Sequence, residues 1–144
     1  MQRLSRSIPA LAAATVAALL LASCGTDDAG SADPGNVSVE QLQGKVDPAA
    51  AVEVIEAGTH TVIDVRTPAE FAEGHVDGAE NIDVQSPDFA DRIAELDPEG
   101  AYVVYCRSGN RSAAAYQAMQ DAGFTSVVDA GGFDALVGAG AATS

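Results

Sequence analysis

Hydrophobic and polar positions along this chain fall into blocks whose period changes from strand-like to helix-like and back, from about Val37 onward. Asp47-Pro48 supplies a helix N-cap and a proline at the first helical position, Ala49 to Ala57 is helix-forming, and Gly58 is the stop. The β-branched run Thr61-Val62-Ile63-Asp64-Val65 predicts a short buried strand. Thr67-Pro68-Ala69-Glu70 fits a capping box that opens a short helix ended by Gly74. Asn81 to Val84 predicts another strand. Ser86-Pro87-Asp88 then opens a helix whose apolar positions Phe89, Ile93 and Leu96 share one face. Ala101 to Tyr105 is nearly continuous in apolar residues and predicts a central strand covered on both faces. Ser112 to Ala122 predicts an alanine-rich helix closed by Gly123, and Val127-Val128-Asp129 a last strand. Gly131-Gly132 is expected to turn into a short helix from Phe133 to Val137, with a frayed Gly/Ala tail over residues 138–144. Such alternation predicts an α/β fold, a central, mostly parallel β-sheet with helices on both faces, over residues 37–137.

The first residues follow a different pattern. Arg3 and Arg6 precede an almost wholly apolar stretch from Ile8 to Ala22. It is short for a membrane span, which needs roughly 20 apolar residues. A basic start, a short apolar region and small residues before a cut site predict a signal peptide over residues 1–23. Leu21-Ala22-Ser23-Cys24 resembles the bacterial lipobox, which implies lipid on Cys24 and anchoring of the exported chain at a membrane outside the cytoplasm. An ordinary signal peptide with an incidental cysteine, or an uncleaved anchor, would share the same apolar run. The arginines are not adjacent, which favours the general secretory route over the twin-arginine one. Residues 24–36 comprise that cysteine and a stretch rich in Gly, Asp, Ser and Pro, a tether. It would hold the domain about 17–21 Å from its anchor, at roughly 5–6 Å times the square root of its length.

Composition narrows the function. With 144 residues the chain has room for one ordinary domain. The aromatic share is only 5% and Trp is absent, so Val, Ile, Leu and Ala must fill the core. The formal charge is −14, and all 21 acidic residues follow Cys24. Such a surface repels nucleic-acid phosphates and anionic lipid heads, which argues against nucleic-acid binding. The two cysteines are Cys24 and Cys106. Lipid on the first would leave the second as a lone thiol in an often oxidising compartment. A buried, inert cysteine is the alternative.

The surroundings of Cys106 bear on that choice. Cys106-Arg107-Ser108-Gly109-Asn110-Arg111-Ser112 lies between the central strand and a helix, at the strand end where open α/β sheets bind ligands. A short loop closed by a helix N-terminus gathers backbone N–H groups, and these with the helix dipole favour an anion. Arg107 and Arg111 add positive charge, and Gly109 lets the backbone bend. A cysteine so placed is expected to be rich in thiolate, a nucleophile within its own oxyanion cradle. A polar surface turn would share this composition.

Three motifs in order carry a family resemblance. Val62 to Phe71 (VIDVRTPAEF), Gly74 to Ile82 (GHVDGAENI) and Cys106 to Ser112 (CRSGNRS) resemble the two signatures and the catalytic loop of single-domain rhodaneses, and Gly131-Gly132 falls where that family has a glycine pair. The resemblance covers about Val37 to Val137. It implies a rhodanese-like fold and a thiosulfate sulfurtransferase-like activity. Cys106 would take a sulfane sulfur from a donor such as thiosulfate, hold it as a persulfide, and pass it to cyanide or another thiophilic acceptor. The N–H groups from Arg107 through Ser108, Gly109, Asn110 and Arg111 to Ser112 would cradle the persulfide and the departing anion. Arg107 is the better candidate for holding an anionic donor, whereas Arg111 would shape the loop. Asp64 and Arg66 would support fold and loop. No metal or organic cofactor is implied.

Loop length separates related chemistries. Four residues stand between Cys106 and Arg111, and position 112 is Ser. The related cell-cycle phosphatases and arsenate reductases use a loop one residue longer, with Arg at its end. The shorter loop favours a sulfur atom over a phosphoryl group. His75 belongs to the second motif and reads as structural, and His60, ahead of a strand, as solvated. With two His and one available thiol there is no metal-ligand cluster. Departures from the family pattern, Asp77 where Pro is common and Leu136 where an aromatic is common, concern substrate preference more than chemistry. A second reading is a tethered sulfur carrier, sensor or docking module for a membrane partner, with little turnover. The acidic balance suits a basic partner face and repels free anions.

Overall fold

The computed structural model describes residues 42–144. Five strands alternate with five helices: β1 (Gly44–Lys45), α1 (Pro48–Ala57), β2 (Thr61–Asp64), α2 (Pro68–Ala72), β3 (Glu80–Asn81), α3 (Phe89–Ala94), β4 (Ala101–Cys106), α4 (Asn110–Asp121), β5 (Ser126–Gly132) and α5 (Phe133–Gly138). All strands run parallel, in the order β1-β5-β4-β2-β3. The chain has the α/β fold that its pattern predicts, a parallel five-stranded sheet flanked by helices.

Local chemistry sets the helix ends. Asp47 caps α1 by accepting from the N–H groups of Ala49 and Ala50 at 3.1 and 3.2 Å, with Pro48 in the first turn. The capping box at α2 is present in both directions: Thr67 Oγ1 accepts from Glu70 N, and the Glu70 carboxylate accepts from Thr67 N.

Central strand β4 divides the core, because successive side chains leave a strand on opposite faces. Tyr102, Val104 and Cys106 pack with α3 and α4, against Phe89, Ile93, Ala115 and Met119. Val103 and Tyr105 pack with α1 and α5, against Val54, Val128 and Leu136. The register between β4 and β5 shifts after Val104: Asp129 lies opposite Val104, but Gly131 lies opposite Tyr105, so Ala130 is an extra residue. The buried Asp129 carboxylate accepts from Gly131 N at 3.0 Å and closes this bulge. The bulge brings Gly132 level with Cys106.

Several expectations change. Cys106 ends β4 instead of following it, and α4 begins at Asn110, two residues earlier than expected from Ser112. Gly131 and Gly132 are the last residues of β5 and not a turn. The strand expected over Asn81 to Val84 is the pair Glu80–Asn81. The tail is not frayed: His75 and Ser144 exchange backbone hydrogen bonds of 3.0 and 3.1 Å, Asp77 N donates to Ala142 O at 2.8 Å, and Ala141 is buried. His60 is half-buried, its Nδ1 is 2.9 Å from Thr59 Oγ1, and its Nε2 is hidden from solvent without a hydrogen-bond partner. Burial lowers its pKa.

A buried ion pair ties the first motif to the second. Arg66 Nη2 lies 2.6 Å from Asp64 Oδ2, and Nε reaches both carboxylate oxygens. The same Nη2 donates to Gly74 O at 2.7 Å, and the guanidinium lies over Phe133, 4.4 Å from its ring centre. Removing one member of such a pair strands the other charge out of water. Asp64→Ala is therefore expected to destabilise the fold by about 3–5 kcal/mol, read from the urea midpoint, with the double variant Asp64→Ala/Arg66→Met milder because no charge is left unpaired. Equal or negligible losses would contradict this role.

Candidate active site

Cys106 stands at the carboxyl end of the central strand, where β4 gives way to a three-residue bend and then α4. No side-chain cap closes the amino end of α4. The sulfur takes that place: Cys106 Sγ accepts from Gly109 N at 3.1 Å. Gly109 sits at φ 97°, a conformation that disfavours any side chain, and this turns its N–H back toward the sulfur. Burial pushes the Cys106 thiol up, but the N–H groups of Ser112, Ser108 and Gly109 and the Ser112 hydroxyl together hold it below the ordinary thiol value. An inert core cysteine lacks such donors. Cys106 is nonetheless fully buried.

Two further contacts hold the loop down. Ser112 is buried, and its hydroxyl lies 3.0 Å from Gly109 O and 3.3 Å from Gly131 O, joining the loop to β5. Gly132 allows the approach: a Cβ there would stand 2.9 Å from Arg107 O and 3.3 Å from Ser108 Cα. The glycine pair is thus the floor on which the loop rests.

Arg111 does not turn toward the sulfur. Its Nη1 and Nη2 donate to Glu70 Oε2 and Oε1, both at 2.7 Å, a bidentate pair. This pairing leaves only the Arg111 backbone for the cradle. The hydrogen bonds from Arg111 hold the Glu70 carboxyl down to about 2; burial opposes them and the Thr67 contacts add to them. Arg107, Ser108 and Asn110 are exposed. Asn81, which sequence reasoning left unassigned, donates to the backbone oxygens of Asp64 and Arg66 at 3.0 and 2.8 Å and fixes the end of β2. The Glu70 partnership was also missed; its one signal is an acid and a base in two separate motifs. His75 stacks on Phe71 at 3.7 Å and donates through Nδ1 to Phe71 O, a structural use.

Beside the loop lies a cavity of about 310 Å³ lined by Arg66, Glu70, Glu73, Gly74, Arg107, Phe133 and Asp134. Cys106 does not line it. Cys24, the expected signal peptide and the expected tether lie outside the described residues.

A thiol at a strand end, held by a helix start in a parallel α/β sheet, defines a protein built to stabilise a sulfur anion. The chain belongs to the rhodanese-like domain family, whose pattern matches residues 47–139. It is 41% identical over 93 residues to thiosulfate sulfurtransferase GlpE of Pseudomonas aeruginosa, covering 62% of this chain and 80% of that one. It is 37% identical over 87 residues to thiosulfate sulfurtransferase 16, chloroplastic, of Arabidopsis thaliana, covering 53% and 72%. A solved rhodanese-like domain from Anabaena sp. superposes with a TM-score of 0.64 at 25% identity, covering 72% of this chain and 80% of that one.

The Glu70–Arg111 pair carries a pH signature. A carboxylate whose folded pKa of about 2 lies below its ordinary value of 4.5 adds stability above pH 4.5, and that stability is lost as pH falls toward 2. Glu70→Gln is expected to cost about 1–2 kcal/mol at neutral pH through the lost cap and pair. It should also flatten the fall in stability between pH 4.5 and 2, measured by urea titrations across that range. An unchanged acid limb would show that the pair does not hold the loop.

Proposed function

We infer that this protein is a sulfurtransferase that carries sulfur as a persulfide on Cys106. The observation that supports it is the thiol itself, buried yet surrounded by N–H donors that favour its anion. In the forward step the Cys106 thiolate attacks the outer sulfur of thiosulfate. A sulfur–sulfur bond forms at Cys106, the bond in thiosulfate breaks, and sulfite leaves with the electron pair. In the second step an acceptor such as cyanide or a thiol attacks the outer sulfur, and the thiolate returns. The cradle of N–H groups from Arg107 to Ser112 suits the negative charge of each state. The relatives named thiosulfate sulfurtransferase support this reading. Engagement of Arg111 by Glu70 speaks against a phosphatase, whose loop needs a guanidinium on the transferred group.

The complete burial of Cys106 favours a second reading, a sulfur carrier or sensor that exchanges slowly with free donors and serves a membrane protein partner. For either role we place the chain outside the cytoplasm, tethered by lipid on Cys24.

Intact mass spectrometry of the full chain purified from membranes tests both proposals. Lipid mass on a chain starting at Cys24 is expected, as is a gain of one sulfur atom after thiosulfate, absent in Cys106→Ser and removed by cyanide. No sulfur gain from thiosulfate or polysulfide would overturn the enzyme reading, and an unlipidated chain would overturn the anchor.

A further inference from the structure

The cavity beside the loop carries charges of both signs, and they are not equally available. Arg66 is committed to Asp64 and Glu70 to Arg111. The remaining charged residues of its rim are Arg107, Glu73 and Asp134, all exposed and without an ion-pair partner among the described residues. Glu73 follows α2, Asp134 lies in the first turn of α5 and Arg107 is in the Cys106 loop, so three separate elements converge on one space. The fold fixes each of them: Gly132, next to α5, packs on Arg107, and Arg66 ties Gly74, next to Glu73, to β2.

We propose that this rim selects a small zwitterionic aminothiol as the sulfur acceptor, its carboxylate on Arg107 and its ammonium on Glu73 and Asp134. The inference rests on Cys106 carrying sulfur. Thiosulfate, with two negative charges, meets one cation and two carboxylates here. A mercapto acid satisfies Arg107 alone. An amino acid thiol satisfies both signs, and a cavity of about 310 Å³ is at the small end for ligand pockets and suits a molecule of that size. A sulfane sulfur adds about 2 Å to the reach of Cys106.

The step needs no oxidant or reductant. The acceptor thiolate attacks the outer sulfur of the Cys106 persulfide. A new sulfur–sulfur bond forms on the acceptor, the bond to Cys106 Sγ breaks, and its electron pair restores the Cys106 thiolate. The persulfide proton stays on the transferred sulfur, whose oxidation level does not change.

The test is a single-turnover discharge. The full chain is loaded with thiosulfate, freed of excess donor, and mixed with L-cysteine, cysteamine or 3-mercaptopropionate, each rate being corrected for the fraction of thiolate. The double variant Glu73→Gln/Asp134→Asn, isosteric at two exposed positions, is expected to slow discharge to L-cysteine and cysteamine by about tenfold, as two partly solvated charge contacts allow. It should speed discharge to 3-mercaptopropionate. Arg107→Gln should slow L-cysteine and 3-mercaptopropionate but not cysteamine. Added salt should shrink these differences. Equal changes for all three acceptors, or none, would overturn the selection of acceptor while leaving sulfur transfer intact. A chain that takes no sulfur from any donor would overturn both.

Discussion

Much of this structure turns on a sulfur atom that occupies the place of a helix cap. Four N–H groups at the start of an α-helix have no partner within it, and proteins usually supply Ser, Thr, Asp or Asn to meet them. At α4 the preceding residue is Gly109, which has no side chain to offer, and Cys106 Sγ accepts from Gly109 N instead. A neutral thiol accepts weakly and a thiolate strongly, so the helix start is better satisfied when Cys106 is ionised. Burial pulls the other way, and the donors prevail. The same geometry that completes the fold therefore favours the thiolate, the form that the proposed sulfur transfer needs.

That arrangement needs the strand end, the bend and the helix start held in one relation, and three distant parts of the chain do so. Gly132 of β5 gives the bend room that a Cβ would fill, at 2.9 Å from Arg107 O. Glu70 of α2 grips Arg111 in the first turn of α4 through two hydrogen bonds of 2.7 Å. Asp64 and Arg66 tie β2 to Gly74, and Asn81 locks the end of β2 through two backbone oxygens. Each contact joins residues that the parallel sheet brings to its carboxyl end. The cavity rim then adds charge beside the site without touching the thiol.

The sequence shows this organisation unevenly. Helices with Pro at the first position and a polar cap, α1 and α2, are legible because their caps are local. β4 is legible because a continuous apolar run fits a strand buried on both faces. The cysteine loop is legible in its nature, though the motif order, not the composition of the loop, separates it from a surface turn. β1 is not, since two residues at a sheet edge have no periodicity and exist through pairing with β5. The docking of residues 141–144 on 75–77 is equally silent, because Ala-Ala-Thr-Ser carries no pattern and the contact is mostly through backbone. Glu70–Arg111 spans 41 positions, and nothing local to either residue predicts it. The bulge at Ala130 is also a tertiary feature; the sequence suggests a turn at the glycine pair, whereas the sheet extends through it.

The most direct measurement is a spectroscopic titration of the Cys106 thiolate in the full chain carrying Cys24→Ser, which leaves one thiol to observe. A sulfur that serves as the acceptor for the start of α4 should ionise in a single step with its midpoint below the ordinary thiol value of 9.0. A midpoint at or above that value would mean that burial outweighs the backbone donors, and that Cys106 is a core residue in place of a prepared nucleophile.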